Sequence, residues 1–305
     1  METLTCFARR GLAILGVLFV MGVPAMAQEG TLKKIKETGA ITLGHRDASI
    51  PFSYFDDKQA AIGYAMDLCG KIVDAVKAEL KMPNLQVKLN PVTSATRIPL
   101  MANGTIDLEC GSTTNNLERQ KQVAFTITHF VTANRFVSKK AANLKTVDDL
   151  KGKTVVSTSG TTNIKQITEL NGQKNLGITI LPAKDHAEAF LMVESGRAVA
   201  FVMDDILLFS LVANSKAPGD WVISADALSV EPYGIMLRKD DPSFKKVVDA
   251  AMTNVYKSGE INKIYAKWFL APVPPKGINL NLPMSDVFKH VVANPTDSGD
   301  PSDYK

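Results

Sequence analysis

The sequence predicts an α/β protein built from two lobes with mainly parallel sheets. Two observations lead there. Short β-rich runs alternate with helical runs along nearly the whole chain, and the alternation comes in two successive sets. Composition allows a large core, with 305 residues, 45% hydrophobic and 22% charged, which excludes a disordered chain. No period of about 20–50 residues recurs, so a solenoid is excluded as well.

The first segment stands apart from the fold. Arg9 and Arg10 precede an apolar stretch over 11–22, followed by Pro24 and Ala25-Met26-Ala27. A basic start, an apolar run too short to span a bilayer and a small-x-small site predict a signal peptide over 1–27 and a periplasmic protein. No cysteine sits at the cleavage point, so no lipid anchor is expected.

The elements follow in order. A β-rich run at 40–44 precedes a helix over 66–81, where Cys69, Ile72, Val73, Val76 and Leu80 form an apolar stripe. A strand at 85–92, a helix over 93–101 ending toward Asn103-Gly104, and a strand at 106–110 complete the first set. The second set opens with a short helix at 146–150, for which Thr146 is an N-cap candidate. Strands at 153–156, 178–181 and 198–203 then alternate with helices at 162–170, 185–194 and 204–212. Runs at 221–224 and 233–237 lead to helices at 242–258 and 261–270. The Pro-rich stretch 271–283 reads as extended over the surface, and 294–305 as a frayed tail.

Charge and cysteines restrict the partners. Loss of Glu2, Arg9 and Arg10 with the leader takes the net charge from +4 to +3. That surplus is spread along the chain, which disfavours nucleic acid and anionic membrane as partners. Cys69 and Cys110 remain after the leader is removed. Two cysteines in an oxidising compartment permit a disulfide, but Cys69 on its apolar stripe also suits a free core residue.

Motifs for enzyme chemistry are missing. The chain has no H-E-x-x-H, C-x-x-C or EF-hand loop, no phosphate-binding glycine loop and no nucleophile elbow. No metal or cofactor is therefore expected. Glu109 and Asp204-Asp205 could in principle supply a carboxylate pair.

The loops at strand ends carry a different pattern, hydroxyls with arginines. Gly111-Ser112-Thr113-Thr114-Asn115-Asn116 precedes Glu118-Arg119, and Ser157-Thr158-Ser159-Gly160-Thr161-Thr162 opens a helix. Ser/Thr-rich loops at helix starts offer N–H and O–H donors to an anion. Carboxylate or phosphate recognition is the reading.

Further motifs carry a family resemblance: His45-Arg46 with Pro51-Phe52-Ser53-Tyr54-Phe55, Arg97-Ile98-Pro99-Leu100, Glu109-Cys110-Gly111-Ser112, Ala183-Lys184-Asp185-His186, Glu194-Ser195-Gly196-Arg197 and Met203-Asp204-Asp205. Over about 30–275 the chain resembles the extracytoplasmic solute-binding proteins of polar amino-acid ABC transporters, nearest to their glutamate- and aspartate-binding members. The resemblance implies a type II periplasmic-binding-protein fold with two crossover hinge strands and the ligand in the interlobe cleft. Its first lobe would comprise 28–133 and 231–275, its second 134–230, with 276–305 a C-terminal extension and tail. Arg119 with Ser112, Thr114 and Thr162 would hold the α-carboxylate of an acidic amino acid, and Asp204 its α-ammonium. Arg46, Arg97, Ser94 and His186 would surround the side-chain carboxylate. One departure is Ile235, where the family pattern has a cysteine, so a bridge from there to Cys110 cannot form.

The chemistry agrees with those roles. Arg grips a carboxylate with a planar fork, and three arginines against one aspartate put the expected site charge near +2, suited to glutamate or aspartate. The implied partner is an ABC permease in the inner membrane, served by a monomer. The alternative is an enzyme on the same fold, a dehydratase or lyase acting on a small carboxylate.

Overall fold

The computed structural model describes residues 30–304, so the predicted leader at 1–27 lies outside the described residues. The first lobe centres on a five-stranded sheet in the order Gln86–Pro91, Ala40–His45, Leu108–Cys110, Met236–Arg238, Val123–Phe125. The first three are parallel, while Met236–Arg238 runs antiparallel to its neighbours. The second lobe has Thr179–Ala183, Thr154–Thr158 and Ala200–Asp204 in parallel, then the antiparallel Phe130–Lys139 and Trp221–Ile223. Both sheets are thus mixed. Ser229–Tyr233 pairs with the start of Phe130–Lys139, from Phe130 opposite Tyr233 to Asn134 opposite Ser229.

Register explains why the loops converge. His45 is level with both Pro91 and Cys110, so three parallel strands of the first lobe end together. In the second lobe Thr158 is level with Ala183. Loops leaving such ends lead into helix starts, and ligands of open α/β sheets bind there.

Packing around the paired strands is aromatic. Phe130 lies 5.0 Å from both Phe52 and Phe269, ring centre to ring centre, and Phe52 lies 5.2 Å from Tyr233. His129 is fully buried among Phe52, Tyr64 and Tyr233, and burial pushes its pKa down to about 3. Its ring is therefore neutral at pH 7.

Several local expectations change. Cys69 and Cys110 form a disulfide with a Cα separation of 6.2 Å, so Cys69 is not a free core thiol. The bridge ties the helix Tyr64–Leu80 to the strand that ends at the Gly111 loop. Closing that 41-residue separation stabilises the fold by about 4 kcal/mol in the chain-entropy account. The helix expected from 93 begins at Arg97, because 93–96 form a turn closed by Thr93 and Thr96. Beyond the predicted elements, Asp286–Ala293 also forms a helix, which buries Phe288 and Val291.

The C-terminal tail is not frayed. Thr128 N–H donates to Thr296 O at 2.8 Å, Asn115 Nδ2 donates to Asp297 O at 2.8 Å, and Tyr304 is buried against Thr128. Tertiary hydrogen bonds hold a segment whose local composition reads as loose.

Candidate functional site

The site is built from the strand-end loops of both lobes. Arg46 follows the strand Ala40–His45, Ser94 lies beyond Gln86–Pro91, and Arg97 opens the helix Arg97–Ala102. Ser112 and Thr114 lie in the loop after Leu108–Cys110, and Arg119 opens the turn that follows. From the second lobe, Thr162 and His186 each begin a helix and Asp204 ends a strand. Ser94, Arg97, Ser112, Thr114, Thr162, His186 and Asp204 line one narrow cavity between the lobes. Arg46 and Arg119 are buried beside it rather than in its lining.

Thr161, Asn163, Met203 and Leu207 complete the wall and were not predicted. Thr161 and Asn163 flank a predicted residue in a loop already singled out. Met203 belongs to a motif quoted for the resemblance but carries no polar group that would mark it as a site residue, and Leu207 has no sequence signal.

One end of the cavity collects cations and unpaired polar atoms. Arg97 Nη1 donates to Thr113 Oγ1 at 2.5 Å and to Ser112 O at 3.3 Å, while its Nε has no partner. Arg46 Nη1, Ser94 Oγ and His186 Nε2 are likewise buried and unpaired among the described residues. Burial, then Arg97, lowers the Arg46 pKa to about 10, so it stays charged at pH 7. Burial, then Arg46 and Arg97, holds His186 well below the usual histidine range. The ring is therefore neutral. Thr158 Oγ1 lies 2.8 Å from His186 Nδ1, and the tautomer in which that hydroxyl donates to Nδ1 carries its ring proton on Nε2.

The other end carries Asp204. Although it precedes a helix, its side chain caps nothing there. Oδ1 accepts from Asn163 Nδ2 at 2.7 Å, and Oδ2 accepts a short bond from the Tyr233 hydroxyl. Burial, then the charge of Glu231, raises the Asp204 pKa to about 7.

The charge expected from sequence needs correction. Glu109 and Glu231 are 0% and 1% exposed, and their fields reach Arg46, Arg119 and Asp204. Three arginines therefore face three carboxylates, and the surplus near +2 is absent. Glu109 lies behind Thr113, which donates to it, and 3.8 Å from Arg97 Nη1. Unpaired donors and the buried Glu109, whose Oε1 is also unpaired among the described residues, lie at one end, and Asp204 lies at the other.

The lobes are in contact around the cavity. Arg119 Nη1 donates to Thr114 O at 2.8 Å in its own lobe, and Nη2 donates across to Gly160 O at 3.2 Å. Gly160 has φ +76°, and a Cβ there would lie 2.5 Å from Ala95 Cα. Lys165 pairs with Glu118 across the rim.

Comparison with known proteins agrees with this geometry. The curated L-glutamate/L-aspartate-binding protein of Pseudomonas aeruginosa is 58% identical over 284 residues, covering 92% of this chain and 94% of its own. The glutamate/aspartate import solute-binding protein of Escherichia coli is 50% identical over 273 residues, covering 90% of each chain. Among solved structures, a mutant of ArgBP from T. maritima superposes with a TM-score of 0.70 at 29% identity, over 78% of this chain and 98% of its own. The two curated relatives are named as binding proteins, one of them for import, and neither supports the dehydratase or lyase alternative. Residues 41–271 match the family model for bacterial extracellular solute-binding proteins, family 3. That match spans most of the chain, and the chain belongs to this family.

Proposed function

We propose that this protein captures glutamate or aspartate between its lobes and delivers it to the permease of an ABC importer. The observation that carries the reading is that Ser94, Arg97 and His186 line the cavity with Arg46 buried beside it, and that Arg46 Nη1, Ser94 Oγ, Arg97 Nε and His186 Nε2 are buried and unpaired among the described residues. A neutral apolar side chain would leave each of them unsatisfied at about 1–3 kcal/mol, whereas a carboxylate accepts from several at once. The 58% and 50% identical relatives, both named as glutamate- and aspartate-binding, support the same ligand class.

In this reading Arg46, Ser94, Arg97 and His186 take the side-chain carboxylate. Arg119, Ser112, Thr114 and Thr162 take the α-carboxylate, and Asp204 takes the α-ammonium. The protein works as a periplasmic monomer after loss of its leader near Ala27. Lobes at 28–133 with 231–275 and at 134–230 rotate about the paired strands Phe130–Lys139 and Ser229–Tyr233, with 276–305 an extension on the hinge side. Closure removes water from the ligand and strengthens each charged contact.

Calorimetric titration with a panel of amino acids tests this. Glutamate and aspartate are expected to bind, leucine and arginine not. Glutamate at a hundred times its Kd is expected to add about 2.7 kcal/mol to unfolding stability. Preference for a neutral or basic amino acid would overturn the ligand class.

A pH dependence follows from Asp204. The groups facing it are Glu231 and Tyr233 from the crossover strand, Asn163 from the neighbouring helix, Asp205 beside it, and Arg119. With its pKa near 7, Asp204 is largely ionised at pH 8, and an ammonium binds without moving a proton. Below pH 7 the ammonium must displace one, so affinity falls as pH falls, by up to about tenfold per pH unit. Titrations from pH 8 to pH 5.5 are expected to show that slope, and Asp204→Asn to abolish it.

A further inference from the structure

The hydroxyl proton of Thr162 is already engaged. Its Oγ1 donates to Glu231 Oε2 at 2.8 Å. Glu231 is buried on Ser229–Tyr233, and its other oxygen accepts from Gln166 Nε2 at 2.7 Å and from the Ser229 hydroxyl. Gln166 lies one turn beyond Thr162 on the helix Thr162–Gln173, and its Oε1 accepts from Asn134 Nδ2 at 2.6 Å. Asn134 belongs to the other crossover strand, directly opposite Ser229. A carboxylate only accepts, so the protons of this network run one way, toward Glu231. The network ties the cavity-facing turn to both crossover strands.

We propose that Glu231 is a positioning residue for ligand capture. It withholds the Thr162 hydroxyl proton from the cavity, so that Thr162 meets the α-carboxylate with its backbone N–H. It also fixes the first helical turn to the paired strands. The proposal rests on the reading that Thr162 contacts the α-carboxylate. First-turn N–H groups have no acceptor within their own helix and favour anions, but only if the turn is held in place. Charge-assisted bonds to Glu231 do that more strongly than neutral ones. A glutamine at this position must keep its oxygen toward the Gln166 and Ser229 donors. Its N–H would then face Thr162 Oγ1, replacing the charge-assisted tie by a neutral one and holding the first turn less firmly.

A double-mutant cycle on the full-length mature protein, read by glutamate titration, tests this. Glu231→Gln is expected to weaken glutamate by about tenfold in the wild-type background and by less than about threefold beside Thr162→Val, a coupling within the range for contacting residues. Beside Thr162→Ser, which keeps the hydroxyl, the full loss is expected to return. Should Glu231→Gln not fold, Gln166→Leu cuts the tie to Asn134 and leaves Glu231 charged. Its loss is expected to shrink in the same way beside Thr162→Val. Equal losses in all backgrounds, with the wild type binding glutamate, would overturn the role of Glu231 alone. A wild type that binds no acidic amino acid would overturn the functional reading and this proposal together.

Discussion

Arg97→Gln is expected to weaken glutamate by about 3–5 kcal/mol, a hundredfold or more, because a desolvated carboxylate loses its charged partner. The argument rests on how Arg97 is held. It is 2% exposed, and Nη1 is fixed by Thr113 and the Ser112 carbonyl. Its Nε is buried and unpaired. A guanidinium anchored along one side presents the rest of its fork without further loss of freedom. Glutamine as ligand carries an amide where glutamate carries a charge, so its loss is expected to stay below about tenfold. Titrating wild type and variant with both ligands separates the cases. Equal losses would move Arg97 away from the side-chain carboxylate.

The second large effect concerns closure. Gly160→Ala is expected to lower affinity by about a hundredfold or more for every amino acid that binds, because the variant cannot populate the closed form. The added Cβ would lie 2.5 Å from Ala95 Cα, 2.7 Å from Ala95 N and 2.7 Å from Ser94 C. These are backbone atoms of the opposite lobe, so no side chain can swing aside. The same Gly160 carbonyl accepts from Arg119 across the cleft, and parting the lobes breaks that bond too. Gly196→Ala is the control, with φ +77° but nothing within 4 Å of its Cβ. It is expected to cost stability through backbone strain while glutamate affinity holds. Small-angle scattering at saturating glutamate should show compaction for wild type and Gly196→Ala only. Compaction of Gly160→Ala to the wild-type radius would refute the closed-interface argument.

Much of this was legible in the residues themselves. The two-set alternation of strands and helices is a local signal, since period and length are written into each segment. The hydroxyl loops at 111–116 and 157–162 were recognisable because residues that cap helices also bind anions. Strand-end placement picks out the loops that hold Ser112, Thr114 and Thr162 without coordinates, while Arg46, His186 and Asp204 enter the site through the family resemblance. Their grouping by ligand atom needed the family resemblance, because spacing along a chain says nothing about which loops meet.

Other features depended on contacts distant in sequence. Glu109 reads as a lone acidic residue in a strand, and only its burial behind Thr113 and Arg97 makes it a counter-charge. Glu231 and Tyr233 carry no motif, yet both reach the site because Ser229–Tyr233 lies against Phe130–Lys139. The Cys69–Cys110 bridge and the seating of Tyr304 against Thr128, 176 residues away, follow from the same cause. By itself the sequence determined most element types up to about residue 270, the two lobes and which loops carry binding chemistry, because those follow from periodicity and side-chain type over short stretches. The tertiary structure alone decided the charge balance of the cavity, the donor direction at Thr162 and the fit of Gly160 against Ala95. Each of these depends on distances across the cleft that no local pattern encodes.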